Sequence, residues 1–156
     1  DGIELELMYQ VTEAWDLMVT YGYLKSEYAN YFADLTGDGV ITDNSNLVPR
    51  NTPENTFGIT TSYTTQIGNG ELKGRVSYRF RDEMESESQN RPEGSLDSIE
   101  NVNATISYSV ENYSITAWGR NLTDEREQRW STIGGLTSRG WWNEPQTLGV
   151  TFKVSY

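Results

Sequence analysis

Cysteine and histidine are both absent from this sequence of 156 residues. Without cysteine there are no disulfides and no thiolate metal sites. Without histidine the Ser-His and Cys-His nucleophile pairs and the common zinc sites are excluded as well, and no catalytic residue is expected. Basic residues are few. There are 12 Lys plus Arg against 23 acids, a formal charge of -11, which argues against a nucleic-acid binder because phosphate neutralisation needs a basic surface. No apolar run approaches the ~18 residues of a transmembrane helix, and the opening DGIELELMYQ is neither basic nor built like a signal peptide. Apolar residues make up only 35%, so aliphatic material for a dense interior is scarce, yet aromatics reach 12%, with Tyr 10 and Trp 5. Rings in that proportion suit an interface more than a core.

What the chain does have is alternation. From Leu148 onward every second residue is apolar (Leu148, Val150, Phe152, Val154, Tyr156), and Gly149, Thr151, Lys153 and Ser155 stand between them. A period of two is the period of a strand, with one greasy face and one wet face. A half-buried strand of a soluble sandwich would alternate in the same way. Three features point to a bilayer instead: a strand read to the last residue, an aromatic in that position, and a length near the 9–11 residues that a tilted strand needs to cross.

Taken in order, residues 3–11 set Ile3, Leu5, Leu7, Tyr9 and Val11 against Glu4, Glu6, Met8 and Gln10, and Thr12 to Trp15 reads as a tight connection. The second strand places Leu17, Val19, Tyr21 and Tyr23 opposite Met18, Thr20 and Gly22, and a long polar segment follows over residues 29–55. The third sets Phe57, Ile59, Thr61 and Tyr63 against Gly58, Thr60 and Ser62, and IGNG carries hairpin chemistry. The fourth sets Leu72, Gly74, Val76, Tyr78 and Phe80 against Lys73, Arg75, Ser77, Arg79 and Arg81 before dissolving into DEMESESQNRPEGSLD. A fifth and a sixth strand, Val102 to Val110 and Tyr113 to Arg120, are joined at Glu111 and Asn112.

The expectation is an all-β, antiparallel up-and-down meander of seven strands whose connections alternate short and long. Short turns then lie at one end and the long loops containing Asp34, Glu85 and Trp141 at the other. Tyr9, Tyr63, Tyr108, Tyr113 and Tyr156 fall toward the short-turn end; Tyr21, Tyr23, Phe57, Tyr78 and Phe80 fall toward the loop end. Girdles of rings at two depths are what membrane surfaces favour.

The sixth strand runs into AWGRNLTDEREQRW, and about twenty residues separate Asn121-Leu122-Thr123-Asp124-Glu125 from a closing strand that begins Glu144-Pro145-Gln146-Thr147-Leu148-Gly149-Val150. This order and spacing closely resembles the end of TonB-dependent outer-membrane receptors. The likeness extends more weakly over the earlier hairpins and departs from the family pattern at Arg126, commonly aromatic, and Gln146, commonly Arg. The resemblance implies a bacterial outer-membrane transporter, not an enzyme, whose 22-stranded barrel is plugged by a separate N-terminal domain and which imports a scarce ligand, an iron complex such as a ferric siderophore or an oligosaccharide, with energy relayed by TonB. Residues 1–156 then form its seven-stranded C-terminal barrel segment, lacking the plug and the TonB-contacting segment and preceded by other sequence. Lipid surrounds such a barrel, and Phe152, Val154 and Tyr156 would be its outer-membrane assembly signal, read by the barrel assembly machinery.

Further residues stand out for their chemistry. DLTGDGVITD places Asp34, Thr36 and Asp38 at the first, third and fifth positions of a calcium-loop pattern, Gly39 at the sixth, and Val40 and Asp43 further on, with Ser45 where an acid is usual at the twelfth. Calcium is the candidate ion, although Gly and Asp also make ordinary turns. Lys73, Arg75, Arg79, Arg81, Arg120 and Lys153 fall on inward faces and form a basic wall, which would either pair with a plug or attract an anionic ligand. Trp130, Trp141 and Trp142 lie among Arg126, Arg129 and Arg139 and beside Gly134, Gly135 and Gly140. Indole faces stack on sugar or catecholate rings and guanidinium groups pair with anionic oxygens, so this loop is a candidate ligand contact. A passive porin-like barrel and a soluble secreted calcium-binding β-sandwich are the alternatives from other classes.

Overall fold

A computed structural model describes residues 1–134 and 137–156, except for the side chains of Trp130, Thr132, Ile133, Gly134 and Ser138. Gly135, expected in the tryptophan loop, lies outside the described residues. In chain order the strands are β1 (Gly2–Thr12), β2 (Trp15–Leu24), β3 (Phe32–Ala33), β4 (Thr42–Asp43), β5 (Asn55–Ile67), β6 (Gly70–Arg81), β7 (Met84–Glu85), β8 (Ser95–Leu96), β9 (Ile99–Val110), β10 (Tyr113–Arg120), β11 (Gln128–Gly134), β12 (Thr137–Trp142) and β13 (Thr147–Val154). The long ones make one 7-stranded sheet in the order β1-β2-β5-β6-β9-β10-β13, and every pair in it is antiparallel. This is the up-and-down meander expected from the alternation.

The short connections are tighter than the sequence suggested. Thr12 pairs with Trp15, so only Glu13 and Ala14 turn between β1 and β2. Trp15 opens β2, paired with Thr12 and Tyr63, and its indole Nε1 donates to Thr61 Oγ1 at 2.6 Å, across to β5. Between β5 and β6, Gly68 takes φ 62, a left-handed conformation that costs glycine nothing and that two-residue hairpins demand. The closing strand also stops short of the expected end. Tyr113 pairs with Val154, and beyond it the partner chain turns at Glu111 and Asn112, so one further bond, Ser155 N–H to the Asn112 carbonyl at 2.9 Å, completes the ladder. Tyr156 is left fully exposed.

The loops hold more structure than their polar composition implied. Each folds back as a two-stranded ribbon, β3 with β4, β7 with β8, and β11 with β12. A 3-10 turn, Pro92–Gly94, sits inside the middle loop.

Residues opposite each other across a ladder share a face, so the register sorts the side chains. One row reads Tyr63, Gly74, Ile106, Ala117, Val150, and the row nearer the short turns on the other face includes Ser107, Thr116 and Thr151. The apolar face lies open: Val150 is 70% and Leu148 68% exposed. Among the described residues the buried hydrophobic core is Leu96 alone, and that residue lies in the short β8, outside the seven-stranded sheet. Rings meet at both ends of the sheet, Phe57 with Tyr78 near the loops and Tyr113 with Phe152 near the short turns. An apolar face without a covering layer is what a hydrocarbon solvent requires.

Val150→Arg and Ile106→Arg should each cost about 2–4 kcal/mol at mid-bilayer depth, whereas Thr151→Arg and Ser107→Arg on the opposite face should be mild. Urea titration of the full-length protein in lipid measures this; equal sensitivity of the two sets would contradict the assignment of faces.

Candidate functional site

Lys73, Arg75, Arg79 and Arg81 share the wet face of β6 because each lies an even number of residues from the next. The structure brings only part of the expected basic wall together. Arg75, Arg79 and Arg81 converge on a recess of about 550 Å³ near the loop end of the sheet, whose other lining residues include Asn101, Glu127 and Arg129 as well as Met18, Phe57 and Ile99. Lys73 and Lys153 do not reach it. Arg120 stands apart over the Trp118 ring, 5.3 Å from its centroid. Trp118 Nε1 donates to Thr151 Oγ1 at 3.2 Å, and its indole lies over Gly149, where any Cβ would collide with it. This platform was invisible as a partnership in the sequence; the available signal was a Trp and an Arg two residues apart on one strand face.

Glu127 joins the recess although the sequence did not single it out. Its Oε1 accepts from Arg81 Nη2 at 3.0 Å, and the two side chains are only 17% and 14% exposed. Arg81 also donates to the carbonyls of Asp82 and Asp97, and Glu127 Oε2 lies 3.7 Å from Arg129 Nε. No local pattern links residues that far apart in sequence.

The segment Asn121-Leu122-Thr123-Asp124-Glu125 folds into a knot around Asn121, which is 4% exposed and takes φ 49. Its Nδ2 donates to the carbonyls of Glu125 and Glu144, both at 3.0 Å. Its Oδ1 accepts from Glu125 N–H, Thr123 Oγ1 and Asn101 Nδ2. Asp124 Oδ1 accepts from Gln146 N–H, and Gln146 Nε2 donates to the Leu122 carbonyl at 3.1 Å. Gln146 therefore fits where an Arg was expected, by supplying an amide donor, and Arg126 simply points to solvent.

On the β11–β12 ribbon, Trp141 and Trp142 are 74% and 62% exposed. Being consecutive on a strand they leave opposite faces. Arg139 is exposed on the same strand, and the side chain of Trp130 lies outside the described residues. The ribbon is pinned to the middle loop at Ser131, whose Oγ donates to the Glu93 carbonyl at 2.7 Å and whose own carbonyl accepts from Ser86 Oγ at 3.0 Å. The middle loop also holds the first: Asn90 bonds both the N–H and the carbonyl of Val48, Gln89 Nε2 donates to the Leu35 carbonyl, and the Glu85 carbonyl accepts from Asn51. Burial, then the neighbouring Glu87, pushes the Glu85 carboxyl up.

The calcium-like loop resolves into separate turns. Asp34 accepts from the N–H groups of Gly39, Gly37 and Asp38 and from Thr36 Oγ1, and the Gly39 N–H foremost holds its carboxyl below the usual range. Asp38 caps Val40 N–H and Asp43 caps Ser45. Among the described residues no group of three or more acids gathers to hold a metal ion, so spacing alone bears on calcium.

Asn121→Ala strands several partly buried partners and places Ala in a left-handed conformation, so it should destabilise the folded protein by about 1–3 kcal/mol; a cost below about 0.5 kcal/mol in lipid titrations would dismiss the knot. A depressed carboxyl stabilises its loop at pH above the unfolded value, about 3.9, and loses that contribution as pH falls below it. Hydrogen exchange over residues 34–45 should therefore be slower in wild type than in Asp34→Asn at pH 6, with the difference shrinking below about pH 3.5.

Comparison with known proteins agrees with this geometry. The family model described as "TonB dependent receptor-like, beta-barrel" matches residues 1–122. The ferric yersiniabactin uptake receptor FyuA from Yersinia pestis superposes at a TM-score of 0.82 with 14% identity, covering 99% of this chain and 23% of that one. The siderophore receptor PiuA from Acinetobacter baumannii gives 0.77 at 22% identity, covering 100% and 22%. BauA, the ferric preacinetobactin receptor of the same organism, gives 0.69 at 20% identity, covering 97% and 21%. The chain thus spans less than a quarter of the length of each of these receptors, and at such identities the likeness speaks for the fold. With a family model matched over most of its length and a lipid-facing antiparallel sheet of the matching architecture, this chain belongs to the TonB-dependent receptor-like β-barrel family of the bacterial outer membrane.

Proposed function

We propose that this segment forms part of the ligand path of an active importer that captures an anionic iron complex, a ferric siderophore being the leading class. The observation that carries the reading is the convergence of Arg75, Arg79, Arg81 and Arg129 on one recess at the loop end of the wet face, in a chain whose net charge is -11. Four guanidinium groups lining one recess repel one another, and Glu127 is the single acid among its lining residues, so the recess favours an added anion. The solved receptors of the same fold support the class of ligand, since their descriptions name ferric yersiniabactin, siderophore and ferric preacinetobactin.

In this reading the exposed Trp141 and Trp142 rings and Arg139 make the first contact at the extracellular mouth, with Arg126 at the base of the ribbon. The basic recess receives the ligand below them. The family implies a plug domain facing the wet wall in the full-length protein, and TonB as the source of energy. Phe152 and Val154 at the end of β13 and Tyr156 beyond it, all exposed, are suited to recognition by the barrel assembly machinery. None of these residues performs covalent chemistry.

Cells displaying the full-length receptor should accumulate radio-iron from a panel of ferric complexes only when TonB is present. Trp141→Ala with Trp142→Ala should lower that uptake roughly tenfold at limiting complex, about 1.4 kcal/mol of capture energy, with surface display unchanged. Uptake equal to wild type would remove the ribbon from the path, and absence of uptake of any complex would remove the function.

A further inference from the structure

The recess already contains an anion of its own. Arg81 spends Nη2 on the Glu127 carboxylate at 3.0 Å, while Arg75 and Arg79 on the same strand face have no ion pair among the described residues. Glu127 is itself anchored: its N–H donates to Asn143 Oδ1 at 3.1 Å, and its carbonyl accepts from Asn143 N–H at 2.8 Å. The next residue, Gln128, begins β11. One carboxylate thus neutralises a lining arginine and ties the base of the tryptophan ribbon to the barrel wall.

We propose that Glu127 is an internal competitor for the ligand. An incoming carboxylate or phenolate oxygen takes Arg81 from Glu127, so the recess admits anionic groups able to make that exchange and gives neutral compounds no purchase. This rests on the anionic-ligand reading above and adds its gating residue.

The exchange is feasible because neither charge is stranded. Removing one member of a shielded pair is destabilising when the other stays unpaired, but Arg129 Nε lies 3.7 Å from Glu127 Oε2 and its side chain is 68% exposed, free to close on the released carboxylate. The Ser131 contacts with Ser86 and Glu93 hold the ribbon further along, so the displacement loosens its base and leaves that attachment as a pivot.

The test uses the full-length receptor in detergent, with tricarballylate, an iron-free tricarboxylate, as the probe. Glu127→Gln keeps the side-chain size and removes the charge. It should bind the probe about tenfold tighter than wild type by calorimetry, and it should show several-fold faster hydrogen exchange over residues 128–134 and 137–142 without any probe. Wild type should reach the faster exchange only when the probe is added. Arg81→Gln should also loosen the ribbon but bind the probe more weakly, an opposite sign that a merely structural contact would not produce. Slow exchange retained in Glu127→Gln overturns the tether. Equal affinities of wild type and Glu127→Gln overturn the competition and leave anionic capture standing; no binding by either overturns both.

Discussion

Hydrocarbon offers a peptide group no hydrogen-bond partner, and that constraint underlies the rest of this molecule. Each long strand meets it by pairing along nearly its whole length with the next long strand in the chain. Short turns close the ladder at one end, where Glu13 with Ala14 and Gly68 with Asn69 use as few residues as a hairpin allows. With the backbone of the inner strands satisfied within the sheet, the side chains are free to obey the solvent on each face. Ile3, Leu5, Leu7 and Tyr9 line one side of β1 in the open, and Glu4, Glu6 and Gln10 line the other. No interior needs to be filled between them.

The loop end answers to water and is organised by polar contacts instead. Side-chain amides and hydroxyls replace ladders there: Asn121 joins the end of β10 to both flanks of the last loop, Asn90 bridges the first and middle loops, and Ser131 fastens the ribbon to the middle one. The middle loop is therefore the keystone, touching the loops on either side. Its Glu87 holds Arg91 in a bidentate pair at 3.0 Å, which keeps the Glu87 carboxyl below its ordinary range. The loops are tied to one another and, through Arg81 and Glu127, to the wall, so the ribbon that carries the exposed tryptophans starts beside the basic recess.

Much of the barrel was legible because the cause is local. A strand between lipid and water imposes its two-residue period on every position, so Leu148, Val150 and Phe152 announced their face with no knowledge of their neighbours. The Asn121 to Glu125 segment was legible in another way, as an ordered set of residues matching a family, although its physical meaning, a buried amide serving backbone groups on three sides, emerges only in the fold. The calcium-like spacing was legible as a pattern, and the fold adds that Asp34, its first residue, accepts from the amides of its own turn.

By itself the sequence determined the class of sheet, its two faces, the succession of short and long connections and the family, since each of these follows from periodicity or from residues close together in the chain. Tertiary structure alone decided that β13 ends at Val154, that the loops carry ribbons, that Trp118 rests on Gly149, and that Glu127 holds Arg81. Those outcomes depend on register and on which distant groups the folded chain brings within a few ångströms. Backbone carbonyls make many of the contacts, and since every residue carries one, no residue type marks them beforehand.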